Sequence, residues 1–212
     1  SCPNAEMVKY VFPARDNMPK VAMPEVEVIW YDGGLIPTRP EGLPAGKNLN
    51  DGGGGAIFYG TKDVLIVGSY GRNPYLLSGR KPEVPETLRR VKTNHQQDWI
   101  RACKEHPSVR VPSESDFAEA GPFNEMVVMG VNAVRLQGLN MELEWDGEKM
   151  EFTNIPADAT VQSVIHDGFT IHEGHPTFNK DWTEPVNARE FAKELIKHTY
   201  HNGYELPPMP EE

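Results

Sequence analysis

The chain has 212 residues, of which 38% are hydrophobic and 25% charged, with a formal net charge of −10 at pH 7. This is the composition of a globular chain, and no apolar run approaches the ~20 residues that a membrane helix needs. Acidic residues outnumber basic ones by 31 to 21, and the largest basic cluster is Arg89-Arg90 with Lys92. We therefore expect neither nucleic-acid binding nor membrane insertion.

The N-terminal residues and the two cysteines also exclude some classes of protein. Ser1-Cys2-Pro3-Asn4 has neither the basic nor the apolar segment of a signal peptide. The sequence does not start with Met, and a strand pattern begins within its first few residues. We therefore interpret the chain as a fragment or processed product, from a protein that is either cytoplasmic or bacterial periplasmic. Cys2 and Cys103 are too few for a disulfide framework, and Cys103, inside a helical pattern, is expected to be a buried thiol without a catalytic role.

The first third of the chain has the pattern of strands and loops. Glu6 to Phe12 is rich in β-forming residues and Glu25 to Tyr31 shows the alternation of a strand, so we expect the two to pair antiparallel. The prolines of Pro13 to Pro24 predict a loop between them. A second, long loop runs to Gly55, and residues 56 to 67 then form two short β-rich runs around a turn, which predicts a hairpin.

Four consecutive glycines, Gly52 to Gly55, invite comparison with a phosphate-binding loop. Such a loop follows a strand and precedes a helix, whose N-terminal N–H groups hold the anion. Here the glycines lead into a hairpin, and the sequence contains neither GxGxxG nor a Gly-Lys-Ser/Thr ending. We interpret them as backbone that enters the sheet, and we predict no cofactor-binding residue in this chain.

The remaining patterns predict three helices and one further hairpin. The first helix is Asn94 to Glu105, with Asn94 as N-cap and with Trp99, Ile100 and Cys103 on one apolar stripe that we expect to be buried. The others are Pro122 to Gln137, apolar all round and therefore largely buried, and Asn187 to His201. Within Met141 to Phe152, Asp146-Gly147 is flanked by alternating residues, a strong hairpin signal. Hairpins and scattered helices predict an α+β fold, with a large, open, mainly antiparallel sheet and helices packed on one face.

Six segments of this sequence, taken in order, are specific as a set. They are FPARDNMP (Phe12 to Pro19), WYDGG (Trp30 to Gly34), GGGGAIFYGTKDVLIVGSYGRNP (Gly52 to Pro74), DWIRACKE (Asp98 to Glu105), DFAEAGPFNEMVVMG (Asp116 to Gly130) and LEWDGEKMEFTN (Leu143 to Asn154). Together they resemble the C-terminal α/β domain of the Gfo/Idh/MocA oxidoreductases, in the branch common in Bacteroidetes-type bacteria. The resemblance covers roughly residues 5 to 154, and again residues near 200 to 206.

This resemblance implies a two-domain enzyme whose N-terminal Rossmann domain binds NAD or NADP. The present chain would be its single C-terminal domain, which shapes the pocket for a sugar or polyol and carries the interface of a homo-oligomer. The family's catalytic Lys, in a Glu-Lys-Pro motif, and its Asp/His pair have no counterpart here, so no residue inherits a catalytic role. We expect no NAD binding and no turnover by these residues alone. Residues 155–185 depart from the family pattern and are interpreted as an insertion.

Two alternatives stay open at this point. An NAD-dependent glycoside hydrolase also begins its reaction by abstracting a hydride from the sugar, so a C-terminal domain alone does not separate it from a dehydrogenase. A non-enzymatic sheet domain that binds carbohydrate or protein needs no nucleotide domain at all. An upstream reading frame with a nucleotide-binding fingerprint would exclude this second alternative.

Tyr31, Asp32 and His95 are candidate substrate-binding residues. Tyr31 and Asp32 end the second strand, and an aromatic face with a carboxylate suits the hydroxyls of a sugar. The structural alternative is that Trp30 belongs to the core, Tyr31 lies on the surface and Asp32 caps the glycine turn that follows. His95, at the start of a helix, can donate to a substrate or transfer a proton. The structural alternative is that His95 is an exposed residue of the first helical turn without a function.

Tyr70, Arg72 and Asn73 form a second candidate group, after the predicted hairpin. Gly71 and Pro74 constrain the backbone and display the three side chains, and Arg72 can grip a carboxylate or phosphate with two hydrogen bonds. The alternative is an Asn-Pro turn in which Arg72 pairs with an acidic neighbour.

Three histidines and one aspartate of the C-terminal third form a candidate metal site. His166, His172 and His175, with Asp181, offer nitrogen and oxygen ligands that suit Zn²⁺. The spacing is not that of HExxH, and the stretch is not helical in pattern. We predict no metal site here.

Overall fold

A computed structural model describes residues 3–17, 25–49 and 52–208. The chain divides into two units, unit 1 (Ser1–Leu35 with Pro107–Glu212) and unit 2 (Ile36–His106). Residues 18–24 of the predicted first loop and Cys2 lie outside the described residues. The elements, in chain order, are β1 (Glu6–Phe12), β2 (Val26–Asp32), β3 (Gly55–Tyr59), β4 (Val64–Gly68), β5 (Tyr75–Leu76), α1 (His95–Lys104), α2 (Phe117–Arg135), β6 (Trp145–Asp146), β7 (Glu151–Phe152), β8 (Thr160–Val161), β9 (Val164–His172), β10 (His175–Trp182), β11 (Val186–Asn187) and α3 (Ala188–Ile196).

The predicted α+β class is confirmed, and every strand pair in the described ranges is antiparallel. The pairing forms five small sheets of two or three strands, where the sequence predicts one large open sheet. Strand length explains the difference, since β5, β6, β7, β8 and β11 have two residues each. Such strands offer too few ladder hydrogen bonds to extend a sheet.

The β1–β2 pair carries helix α2 on one face. Its register runs from Glu6 opposite Asp32 to Phe12 opposite Val26. Because side chains alternate along a strand, Val8 and Tyr10 point to the same side, and both lie near α2 at Gly130. Gly130 has no room for a side chain, since an added Cβ would overlap the Tyr10 hydroxyl. The glycine therefore lets the helix approach the sheet closely.

Helix α2 begins before the predicted Pro122 and is less buried than predicted. The Asp116 side chain caps it by accepting a hydrogen bond from the Glu119 N–H at 3.2 Å, so Pro122 lies inside the helix. Phe123 is 62% exposed and Val127 45%, which makes the predicted burial wrong. The apolar residues surround the helix, but the small β1–β2 sheet covers only one side of it.

The main core of unit 1 lies around helix α3. It consists of Leu136, Ile155, Val161, Ala188 and Ala192. The Asn187 side chain caps α3 by accepting from the N–H groups of Arg189 and Glu190 at 3.0 and 3.2 Å. The helix ends at Ile196, five residues before the predicted His201. After it, the Glu194 carboxylate accepts from the N–H and hydroxyl of Thr199, at 2.8 and 2.9 Å.

The hairpin predicted at Asp146-Gly147 is present with a longer loop. Asp146 pairs with Glu151, so four residues connect β6 and β7 instead of two. The Asp146 carboxylate accepts from the N–H groups of Glu148 and Lys149, both at 3.1 Å, and from Lys149 Nζ at 2.7 Å. These bonds hold the loop and lower the pKa of Asp146, chiefly through the Lys149 side chain.

In unit 2, β3, β4 and β5 form one sheet in which Ile66 is 2% exposed. Gly55 opens β3 at a point where an added Cβ would lie 2.5 Å from the Val67 carbonyl oxygen. The glycine run thus leads the backbone into the sheet, as predicted. The preceding loop is ordered by Arg39, whose guanidinium donates to the carbonyl oxygens of Pro44 and, at 2.9 Å, Lys47. In the described ranges no helix is both long and apolar enough to cross a membrane.

Helix α1 begins where the sequence predicts, but a different stripe of it is buried. Asn94 Oδ1 accepts from the Gln97 N–H at 2.9 Å, which confirms the N-cap. The buried residues are Asp98 and Ala102, whereas Trp99 is 57% exposed. Cys103 is also exposed, so the predicted buried thiol is wrong. The apolar periodicity predicts that the stripe with Trp99 is buried. The ion pairs of Asp98 with Arg89 and Arg101 instead bury the side of the helix that carries Asp98 and Ala102.

Candidate substrate-binding surfaces

The candidates Tyr31 and Asp32 lie on opposite faces of the β1–β2 pair. Strand alternation separates them, and Tyr31 lies opposite Met7 whereas Asp32 lies opposite Glu6. Asp32 Oδ1 accepts a hydrogen bond from the Gly33 N–H at 2.6 Å, which is the turn-capping arrangement of the structural alternative. A carboxylate used in this way keeps a second oxygen with which to accept from a ligand hydroxyl.

Asp32 also lines a cleft of about 250 Å³ in unit 1. The cleft lies between residues 3–6, the glycine turn after β2 and two valines of α2, Val131 and Val134. Trp30 shares the Asp32 face of the strand and is 57% exposed. The aromatic partner of Asp32 is therefore Trp30, which sequence reasoning placed in the core. Its position two residues before Asp32 was the signal that would have identified it.

Tyr70, Arg72 and Asn73 lie together on one turn of unit 2. Tyr70 is 98% exposed and has a left-handed backbone, with φ 59°, and Asn73 has φ 50°. The turn is closed by the Gly68 N–H, which donates to the Arg72 carbonyl oxygen at 2.8 Å. Arg72 Nε donates to the Ser69 carbonyl oxygen at 3.1 Å, and its guanidinium lies 5.8 Å from the centre of the Tyr70 ring.

This turn displays an aromatic ring beside a guanidinium. Two of its residues that are not glycine, Tyr70 and Asn73, adopt positive φ, which is uncommon for such residues. A tyrosine in that conformation costs about 1–2 kcal/mol and gains little burial in return. Strain of this kind at exposed polar residues is a common feature of binding sites.

His95 is the first residue of α1 and is exposed. Trp99 lies one turn later on the same helix, four residues away, so the imidazole and the exposed indole share a side of α1. Sequence reasoning included His95 and placed Trp99 on the buried stripe. The pair offers a ring face and a hydrogen-bonding nitrogen next to each other.

The structure thus distributes the six predicted residues between the two units. Tyr31 and Asp32 belong to unit 1, and Tyr70, Arg72, Asn73 and His95 belong to unit 2. Three of them, at the turn after β4, are grouped within one turn as predicted. In unit 1, strand alternation places Asp32 with Trp30 and separates it from Tyr31.

The histidines considered as metal ligands are divided between the ends of one hairpin. His172 pairs with His175 beside the turn, and His166 pairs with Asp181 near the other end. Among the described residues, no group of three or more His, Cys, Asp or Glu side chains is placed to hold a metal ion.

No protein-family model matches the chain, and no curated protein matches it.

Proposed function

We propose that this chain is the substrate- and subunit-binding domain of an NAD(P)-dependent oxidoreductase that acts on a sugar or polyol. The six ordered segments that resemble the Gfo/Idh/MocA C-terminal domain support the enzyme class. The observation that carries the substrate class is the turn at Tyr70, Arg72 and Asn73, with its exposed ring and adjacent guanidinium.

The part of this chain in the reaction is to bind and orient the substrate. NAD(P), held by a separate nucleotide-binding domain, supplies the acceptor for a hydride from the substrate carbon. The flat face of Tyr70 suits the C–H face of a sugar ring, and the side chains of Arg72 and Asn73 are hydrogen-bond donors for its oxygens. A carboxylated sugar would gain a charge-assisted hydrogen bond from Arg72.

Unit 1 offers a second contact of the same kind. Asp32 presents a carboxylate acceptor and Trp30 an exposed ring on the same face of β2. An aromatic ring next to a hydroxyl-accepting carboxylate suits a polyhydroxylated ligand better than an apolar one. Both units therefore carry chemistry that fits the same substrate class.

Saturation-transfer NMR on the chain tests the substrate class. Neutral hexoses, polyols and sugar acids would each be added at millimolar concentration, and we expect transfer to at least one of them. Arg72→Met should reduce the transfer severalfold. Arg90→Met is the matched control, because the Arg90 side chain is 72% exposed and pairs with Glu86 in the same unit. A signal that survives Arg72→Met and Tyr70→Ala unchanged would contradict the assignment of this turn.

Calorimetry with NAD(H) and NADP(H) tests whether nucleotide binding belongs to a separate domain and not to this chain. The proposal assigns the nucleotide to a separate domain, so we expect no heat of binding from this chain. Micromolar binding of either nucleotide would show that the chain holds the cofactor itself, and the proposal would fail.

A further inference from the structure

The longest hairpin of the chain has one apolar and one polar face. Strands β9 and β10 pair from Val164 opposite Trp182 to His172 opposite His175, and Glu173 and Gly174 form the turn. Both turn residues have positive φ, 51° and 81°, as a type I′ turn requires. The hairpin is therefore a locally well-specified element.

Strand alternation sorts the side chains of this hairpin. One face, which we call the arm face, carries Asp167, Phe169, Ile171, Pro176, Phe178 and Lys180. The opposite face carries the histidines together with threonine, asparagine and aspartate. An amphipathic strand pair of this kind normally packs its apolar face against something.

The arm face is exposed to solvent in this chain. Phe169 is 62% exposed, Ile171 68% and Phe178 73%, although the two phenylalanine rings lie against each other with centroids 6.2 Å apart. An aromatic side chain buries roughly 150–250 Å² when covered, so the two rings alone offer about 250–300 Å² of apolar surface. With Ile171 added, the patch enters the range of about 300–600 Å² that the largest apolar patch of a typical monomer covers, and such patches are often functional.

We propose that the arm face docks on the arm face of a second copy of this chain, with the two-fold axis parallel to the strands. The inference rests on the proposed function in one respect, namely that the domain carries the subunit interface, and it assigns that interface to a surface. The two charged residues of the arm face indicate that its binding partner is a second copy of the chain.

Asp167 and Lys180 lie opposite each other on the arm face, with a distance of 3.2 Å from carboxylate to ammonium. A two-fold axis parallel to the strands places β9 of one copy over β10 of the other. Asp167 then faces the second copy's Lys180, Phe169 faces its Phe178, and Ile171 faces its Pro176. Each charge therefore meets its opposite, and each apolar residue meets another.

The other two-fold arrangement of two stacked hairpins reverses the strand direction. It would place the charged row at one end against the apolar row beside the turn, where each charge loses water without gaining a partner. Charge complementarity thus selects one arrangement. The rings supply about a third of the roughly 800 Å² that each partner buries in a standard interface, so we expect a weak dimer that depends on the protein concentration.

Sedimentation velocity of the full chain between about 1 and 100 μM tests this proposal, and we expect a concentration-dependent dimer. The double variant Phe169→Ser/Phe178→Ser should weaken the dimer at least tenfold. Phe123→Ser is the matched control, since Phe123 is also 62% exposed but lies on α2. A monomeric chain at the highest concentration, or a dimer that the double variant leaves unchanged, would overturn the proposal.

A charge-reversal experiment tests the arrangement without removing apolar surface. Asp167→Lys and Lys180→Asp should each lose the dimer, because like charges then face each other across the axis. An equimolar mixture should regain it as a heterodimer, with opposite charges restored on both sides. A mixture that stays monomeric while the unaltered chain dimerises would overturn the arrangement. Neither measurement contains sugar or nucleotide, so its failure is distinguishable from failure of the proposed enzyme activity.

Discussion

The carboxylate of Asp98 accepts one hydrogen bond from each terminal nitrogen of the Arg89 guanidinium, at 2.9 and 2.8 Å. Asp98 is 4% exposed, and Arg101 Nε donates to the same carboxylate at 3.1 Å. Residue 89 belongs to a stretch without regular secondary structure, whereas Asp98 belongs to α1. The bidentate pair therefore fastens an irregular segment to a helix within unit 2.

Replacing Asp98 tests this anchoring role. Asp98→Ala leaves two arginines without their shared acceptor. Because the arginine side chains are 35% and 33% exposed, water reaches the charges that remain, and the loss should be about 1.5–3 kcal/mol. We expect the free energy of unfolding from urea denaturation to fall by that order. Arg90→Ala is the control, because the Arg90–Glu86 pair is exposed on both sides and such pairs contribute about 0–1 kcal/mol. Equal effects of the two substitutions would contradict the anchoring role.

The close approach of α2 to β1 gives different expectations for two glycines of the same helix. Gly130→Ala should destabilise the chain by about 1–3 kcal/mol, because the new methyl overlaps the Tyr10 hydroxyl. Gly121→Ala should change the stability by less than about 1 kcal/mol. An added Cβ there meets no atom within 4 Å outside its chain neighbours, but the helix propensity that alanine gains is offset because Pro122 follows and disfavours helical backbone at a residue with a Cβ.

Thermal unfolding measures both glycine substitutions, and Tyr10→Phe supplies an internal check. Removing the hydroxyl should recover part of the stability lost in Gly130→Ala, so the double variant should be more stable than the single one. If Gly130→Ala cost no more stability than Gly121→Ala, the helix would not lie against Tyr10 as described.

Asp63 gives unit 2 a specific dependence on pH. The Ser78 hydroxyl donates to its carboxylate at 2.5 Å, and this bond, with the N–H groups of Ser78 and Val64, lowers the pKa of Asp63. A carboxylate with a lowered pKa contributes stability above its unfolded pKa of about 3.9, and loses that contribution as the pH falls through the folded value.

The test is the Ser78→Ala variant. The pKa of Asp63, measured by NMR titration of its carboxyl carbon, should rise toward the ordinary aspartate range. Ser78→Ala should be less stable than the parent chain at about pH 7, and this difference should shrink below about pH 4. Thr61→Ala, in the same turn region and exposed, is the control. A stability difference independent of pH would show that Ser78 acts without Asp63.

We expect Tyr70 to lower the stability of the folded chain and to contribute to substrate binding. Tyr70→Gly removes a left-handed tyrosine, so the free energy of unfolding should stay level or rise by up to about 1 kcal/mol. Gly71→Ala, with φ 71° at the next residue, should lower it by about 1 kcal/mol. Sugar binding should fall in Tyr70→Gly. A tyrosine whose removal destabilises the chain would have a structural role instead.

Local signals in the sequence predicted the elements that local chemistry decides. The β1 strand, the Asn94 cap and the hairpins follow from patterns within a few residues. The orientation of α1 could not be predicted in this way, because it depends on Arg89 reaching Asp98 from outside the helix. Burial of α2 was overpredicted for a similar reason, since apolar periodicity does not show how much sheet is available to cover it.

In the candidate site, too, local signals predicted one part, and the other part depends on contacts between distant segments. The turn at Tyr70 follows from Gly71 and Pro74, and its displayed side chains were predicted. Trp30 was missed because a tryptophan in a strand pattern is normally buried. Only the register with β1 shows that it lies on the face of Asp32.

The measurement that tests the central claim most directly is a hydride-transfer assay on the longer protein that the proposal requires, in which a nucleotide-binding domain precedes this chain. Formation of NADH or NADPH would be followed with sugars and polyols. We predict turnover with at least one of them, with kcat/KM lowered at least tenfold by Arg72→Met and unchanged by Arg90→Met. An upstream sequence without a nucleotide-binding fingerprint, or a holoenzyme that reduces neither nucleotide with any sugar or polyol, would contradict the account.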